Sequence, residues 1–310
     1  MKSSLLKLLL AVGLLLGANQ TCQAQLVREV STNYSTTRIL VKEWTYLSDG
    51  LKVKGLLFVP KSILSERGTV AKKSPVVVFC HDGISGVSKS HRNSSVRLAE
   101  MGYVVFSPSY RGEDSSEGTV EIAKGEVHDV LRAVDLLEKR PEVDPNKIAL
   151  MGASHGSLIS ALAASRDSRI KAIVLAYGVM DIYRWWEHLE TTNQVGKDEV
   201  TVRTYGDGPS DHPQSFKIRN AVDRASSIHC PVLILQGSKD TIVPPEQATY
   251  MKQALEKFGK DCQVEIYPDC LHGFLVYAPY LTHGVEAAEK RQAETAWKVT
   301  QGFLKRVFGS

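Results

Sequence analysis

Lys147-Ile148-Ala149-Leu150-Met151-Gly152-Ala153-Ser154-His155-Gly156-Ser157-Leu158 is the stretch on which the fold turns. Lys147 to Gly152 reads as a buried strand, and Leu158 to Ser165 reads as a helix of small residues. Between them stands G-x-S-x-G. Gly152 and Gly156 remove side-chain bulk where a strand passes sharply into a helix. Such a turn lifts the Ser154 hydroxyl clear of a sheet and aims the helix N-terminus at developing negative charge. The pattern alone is short and common; the strand–turn–helix setting makes Ser154 a candidate nucleophile.

Working outward, Ile39 to Leu47 and Leu51 to Val59 are β-rich runs joined by Ser48-Asp49-Gly50, a hairpin signature. Pro75 to Cys80 and Tyr103 to Phe106 are continuous apolar runs, as expected of strands covered on both faces. Helices are expected over 94–101 and 120–139, the second with Val127, Val130, Leu131, Val134 and Leu137 on one side. Downstream come strand Ile170 to Ala176, strand Val232 to Gln236, helix Glu246 to Phe258, strand Gln263 to Tyr267 and a last helix over roughly 284–307. The rhythm breaks between Gly178 and His229, a polar and aromatic stretch that reads as an inserted cap. The alternation predicts a three-layer α/β sandwich on a mostly parallel sheet, in one domain over residues 25–310. A dinucleotide fold is disfavoured because no G-x-G-x-x-G follows the first parallel strand.

A serine hydroxyl needs a base, and the base needs an orienting acid; on this architecture the chain order is Ser, acid, His. Asp240 lies just beyond one strand in QGSKDTIVP, and His272 just beyond the next in DCLHGF. His272 is expected to take the Ser154 proton and later return it to the leaving group, with Asp240 holding its tautomer. Asp269 is a weaker acid candidate, being too close in sequence to His272. The oxyanion is expected to meet the backbone N–H of His155 and one from the loop His81-Asp82-Gly83-Ile84-Ser85-Gly86, with Gly83 preferred. His81, Asp82 and His91 are too irregularly spaced to read as metal ligands, and neither a metal nor an organic cofactor is expected. Arg111 is a possible ligand for a substrate carboxylate, although a salt bridge to a nearby acid is the favoured role. Tyr183, Trp185 and Trp186 are candidates to line a substrate pocket or to pack the cap.

The 310 residues are 43% hydrophobic and 23% charged, the balance of a compact globule. Thirty-eight basic residues against 34 acidic ones are dispersed, without the concentrated positive face that nucleic acid requires. Residues 1–24 read as a signal peptide: Lys2 and Lys7, an apolar run Leu8 to Gly17, then Cys22-Gln23-Ala24 with Gln25 as the mature N-terminus. The run is shorter than a membrane span, so the mature chain is expected in a periplasm or outside the cell, without stable membrane insertion. Its removal would lower the formal charge from +4 to +2 and leave four cysteines. Cys230 and Cys262 open two strands that, as parallel neighbours about 5 Å apart, would suit a disulfide as well as two buried thiols.

SYRG at 109–112, VDPNKIALMGASHGS at 143–157, PVLILQGSKDTIVPPEQA at 231–248 and LHGF at 271–274 together resemble the catalytic domain of prolyl-oligopeptidase-like serine hydrolases, within the α/β-hydrolase superfamily. The resemblance runs from about Val53 to the C-terminus and implies Ser154, Asp240 and His272 as the triad. The scaffold is also similar to that of dienelactone hydrolases, which carry cysteine where this chain has Ser154. Three departures stand out: HDG replaces the usual HGG oxyanion sequence, Gly156-Ser157 replaces G-G after the nucleophile, and no propeller precedes the domain. The resemblance implies a small peptide or ester substrate, with peptidase ahead of carboxylesterase or carbohydrate acyl esterase. A binding protein that has lost the reaction is a distant alternative.

Overall fold

The computed structural model describes residues 24–283 and 286–309. The leader expected over 1–24 lies, except for Ala24, outside these residues. Nine strands form one sheet in the order β1-β2-β3-β5-β4-β6-β7-β8-β9. They are β1 (Leu26–Ser31), β2 (Ile39–Ser48), β3 (Leu51–Pro60), β4 (Ser74–Cys80), β5 (Val104–Pro108), β6 (Val143–Ala153), β7 (Ile170–Ala176), β8 (Val232–Gly237) and β9 (Cys262–Tyr267). The first three pair antiparallel, and β4 through β9 pair parallel. The chain steps from β4 outward to β5 and back to β6. That reversal opens a crevice at the carboxyl ends of the strands, the usual place for a ligand in an open α/β sheet.

Period-two alternation divides the core into two layers. Val76, Val78, Ile148 and Leu150 face one side, with α2 (Gly125–Leu137), α3 (His155–Ala164) and α7 (Glu246–Glu256) over them. Val77, Phe79, Ala149 and Met151 face the other, under α1 (Lys89–Glu100), the short α8 (Phe274–Tyr277) and α9 (Ala287–Phe308). The expected three-layer sandwich is therefore present. The inserted region carries α4 (Ile182–Thr191), α5 (Glu199–Tyr205) and α6 (Pro213–Arg219). These helices close over a small core of their own: Val179, Ile182, Trp186, Tyr205, Phe216 and Val243.

Three local differences from the sequence reading have physical causes. Strand β1 was not expected; it lies on the sheet edge, paired only with β2, and is largely half-exposed. Helix α1 begins five residues early because Ser88 and His91 form a reciprocal cap, the Ser88 hydroxyl accepting from His91 N–H and the His91 ring accepting from Ser88 N–H. Helix α2 begins five residues late, because Ile122 and Ala123 adopt left-handed backbone (φ 47° and 54°). The Glu126 carboxylate accepts the N–H groups of Glu121 and Lys124 and holds that turn.

Candidate active site

Strand β6 delivers Ser154 at φ 47°, ψ −116°, a conformation that side-chain-bearing residues rarely adopt. The surroundings impose it. A Cβ on Gly152 would overlap the Gly156 carbonyl, and one on Gly156 would overlap the carbonyl of Cys80 on β4. Ser154 N–H is tied to Ala176 O at 2.8 Å. Ser157, at the position that departs from G-G, donates its hydroxyl to Gly152 O (2.8 Å) and Ala176 O (2.9 Å). The substitution thus adds a hydroxyl whose single proton is shared between two carbonyls, bracing the turn instead of opening it.

The loops after β8 and β9 bring two further side chains to this serine. His272 Nε2 lies 3.0 Å from Ser154 Oγ, and His272 Nδ1 lies 2.8 Å from Asp240 Oδ2. The structure therefore brings together all three residues singled out from the sequence. Asp269 lies elsewhere, paired with Lys239 at 2.7 Å. Asp240 is buried and fully engaged: its Oδ1 accepts from Ile242 N–H (3.0 Å) and Val243 N–H (2.9 Å), and Gln236 Nε2 donates to Oδ2 (3.1 Å). With Asp240 ionised, Nδ1 carries the imidazole proton and Nε2 is left free to accept from the serine. Sequence reasoning missed Gln236 and also Tyr177, whose ring packs edge-on against His272 with centroids 4.9 Å apart. Tyr177 is the first residue beyond β7 and has φ 42°. Its place just past a strand end was the available signal.

Opposite the imidazole lies the loop after β4. His155 Nδ1 meets Gly83 O at 3.0 Å, fastening this loop to the start of α3. Among the described residues, the N–H groups of His155, Gly83 and Ile84 find no hydrogen-bond acceptor, so each remains available as a donor. Behind the loop, Asp82 accepts from His91 Nε2 (2.8 Å) and from Tyr277 OH (2.5 Å) on the helix that follows His272. Burial raises the pKa of Asp82, but His91 outweighs it and holds the carboxyl below its ordinary range. His81 Nε2 sits 3.0 Å from Glu113 Oε2, out of line for a hydrogen bond. Burial disfavours its charged form, yet Glu113 prevails and keeps His81 above the usual histidine value. Both histidines are thus committed to carboxylates. Among the described residues, no group of three His, Cys, Asp or Glu is arranged to hold a metal ion.

Other candidates go elsewhere. Arg111, expected as a possible substrate ligand, is 6% exposed and spent within the protein. Its guanidinium meets Asp129 at 2.7 Å, Asp49 at 2.9 Å and Glu121 at 3.1 Å. We expect Arg111→Met to leave Asp129 buried without its partner and to cost about 3–5 kcal/mol of stability. Urea unfolding would measure that loss; a raised KM at unchanged stability would restore the substrate role. Trp186 is 2% exposed inside the cap core, and half-buried Tyr183 packs against that core. Trp185 borders a cavity of about 590 Å³, with Leu189 and Ile242. The disulfide is also absent. Register places Val232, not Cys230, beside Cys262, and both thiols are free. Cys80 and Cys270, near the site, are pushed by burial to about 11 and about 12, so neither thiol competes as a nucleophile.

A family model described as the dienelactone hydrolase family matches residues 63–308. The chain belongs to the dienelactone hydrolase family. With serine at the elbow, it is a serine hydrolase that works through an acyl-enzyme. An uncharacterized peptidase of Bacillus subtilis, YtmA, is 28% identical over 230 residues, 74% of this chain and 84% of that protein. Among solved structures, the acylaminoacyl peptidase of Pyrococcus horikoshii superposes with a TM-score of 0.70 at 18% identity, over 88% of this chain and 42% of that one. Acetyl xylan esterase 1 of Thermoanaerobacterium sp. JW/SL YS485 superposes with a TM-score of 0.68 at 16% identity, over 92% of this chain and 88% of that one. The chain thus spans less than half of the Pyrococcus enzyme. At these identities the likeness to solved structures concerns the fold.

Proposed function

We propose that Ser154, His272 and Asp240 form the catalytic triad of a hydrolase that cleaves peptide bonds in small substrates. The observation that carries this reading is the unbroken line Ser154 Oγ, His272, Asp240, at 3.0 and 2.8 Å. His272 Nε2 takes the hydroxyl proton as Oγ bonds to the carbonyl carbon. His155 N–H and Gly83 N–H receive the oxyanion. The C–N bond then breaks as His272 protonates the departing amine. Water then attacks the acyl carbon, giving one proton to His272; the C–Oγ bond breaks as His272 returns that proton to Ser154 Oγ, and the acid is released. Exposed Ile84, Ile242 and Leu271 stand directly beside Gly83, near Asp240 and next to His272, a rim suited to apolar substrate groups. The peptide reading is supported by the Bacillus relative, of which this chain spans most.

Carboxylic esters, including acyl groups on carbohydrates, are the second reading. Its support is the fold match to an acetyl xylan esterase over nearly the whole of both chains. Residues 178–229 act as the cap in either case. The leader would direct export, giving a periplasmic or secreted enzyme of residues 25–310; among the described residues no helix is long and apolar enough to cross a membrane. A fluorophosphonate probe should label the wild type and spare Ser154→Ala. Equal labelling of both would reject the assignment. A panel of matched peptide amides and esters sharing one acyl group would then decide the substrate class; cleavage of the esters alone would reject the peptide reading.

A further inference from the structure

We infer that Trp185 and His188, on cap helix α4, are positioning residues for Asp240 and act through the two peptide groups that hold its carboxylate. This rests on the triad assignment above. Asp240 Oδ1 accepts two backbone N–H bonds, from Ile242 (3.0 Å) and Val243 (2.9 Å). The carbonyl of each of these peptide units is itself taken by the cap. His188 Nε2 meets Thr241 O at 2.9 Å, on the unit whose N–H belongs to Ile242. Trp185 Nε1 donates to Ile242 O at 3.3 Å, on the unit whose N–H belongs to Val243. Two parallel relays therefore run from a cap side chain, through one planar amide, to the same carboxylate oxygen.

Two physical effects follow. A donor on an amide oxygen polarises the unit and strengthens its N–H, as hydrogen bonds in series do. Each amide is also pinned at both ends, so it cannot rotate about its flanking bonds and let the carboxylate turn from His272. The geometry of α4 serves this. Trp185 and His188 are three residues apart, hence on one face of the helix. Its start is rooted, because the Asp181 side chain caps Tyr183 N–H and Arg184 N–H, and Gln247 Oε1 accepts from Met180 and Asp181 N–H. The cap is thus wired into the acid limb of the triad. A shift of α4 when a substrate enters the neighbouring cavity would alter the orientation of Asp240.

A purely structural role for the two side chains would weaken the enzyme whatever residue stands at 240; the relay works only through the Asp240 carboxylate. The test is a cycle of kcat measurements on an activated ester, using Trp185→Phe, which keeps the ring, and His188→Ala and His188→Gln, each made in the wild type and in Asp240→Asn. We expect Trp185→Phe and His188→Ala each to lower kcat about three- to tenfold with KM within about twofold of wild type. His188→Gln, which retains a donor, should recover most of the loss. In the Asp240→Asn background the same changes should leave kcat unaltered. Equal losses in both backgrounds, or wild-type kcat for Trp185→Phe and His188→Ala, would overturn the relay while leaving the triad standing. Wild-type kcat for Asp240→Asn alone would overturn the triad and the relay together.

Discussion

Ser154→Ala is expected to fold normally and to lose on the order of 10⁶-fold in kcat. The loss is this large because the Ser154 hydroxyl, 3.0 Å from His272 Nε2, is the group placed to form the covalent intermediate. The nearest thiols are buried and protonated, and among the described residues no second hydroxyl is hydrogen-bonded to His272 Nε2. His272→Ala should cost about as much, and the double variant little more, since the pair acts as one unit. Single-turnover assays on an activated ester, with thermal unfolding to verify the fold, are the measurement. Additive losses in the double variant would show that the serine and histidine act separately, contrary to the 3.0 Å contact between them.

The second large effect is expected from Asp240→Asn, about 10⁴-fold in kcat at neutral pH. An amide at 240 keeps the shape of the side chain, so the bonds from Ile242 and Val243 N–H can persist. What changes is the imidazole. An amide NH₂ facing Nδ1 favours the tautomer with the proton on Nε2, where it blocks acceptance from Ser154. The imidazolium formed during attack also loses its counter-charge. Activity of the variant should therefore recover partly at high pH, where hydroxide replaces the missing base, and the pH–rate profile would reveal this. A profile parallel to wild type, merely scaled down, would argue that Asp240 is needed only for folding.

The parts of the fold legible beforehand were those where burial on both faces wrote itself into consecutive residues: Val76 to Cys80, Val104 to Phe106 and Val232 to Leu235. The three site residues were legible for a related reason. Ser154 and Asp240 come soon after such strands, β6 and β8, and His272 soon after the half-buried edge strand β9, each in a loop where a glycine marks a tight turn. What escaped notice depended on contacts remote in sequence. The favoured salt bridge of Arg111 to a nearby acid is present in Glu121, but its partner Asp49 lies 62 residues before it, and only the folded sheet brings those two together. Composition could not give the register that separates Cys230 from Cys262, since a shift of two residues preserves every face. Trp185 read equally as a pocket or a cap-packing residue, and nothing local revealed that its indole N–H also reaches Ile242 O, 57 residues on.

The serine and its imidazole stand 118 residues apart in the chain and meet only through β6, β7, β8 and β9 laid side by side. Contacts of such long separation form late, because the entropy of closing the intervening loop must be lost first. A nascent or unfolded polypeptide, even one holding every residue of the site, is accordingly inert toward the proteins and metabolites around it. Hydrolytic power arrives all at once, with the last parallel strand.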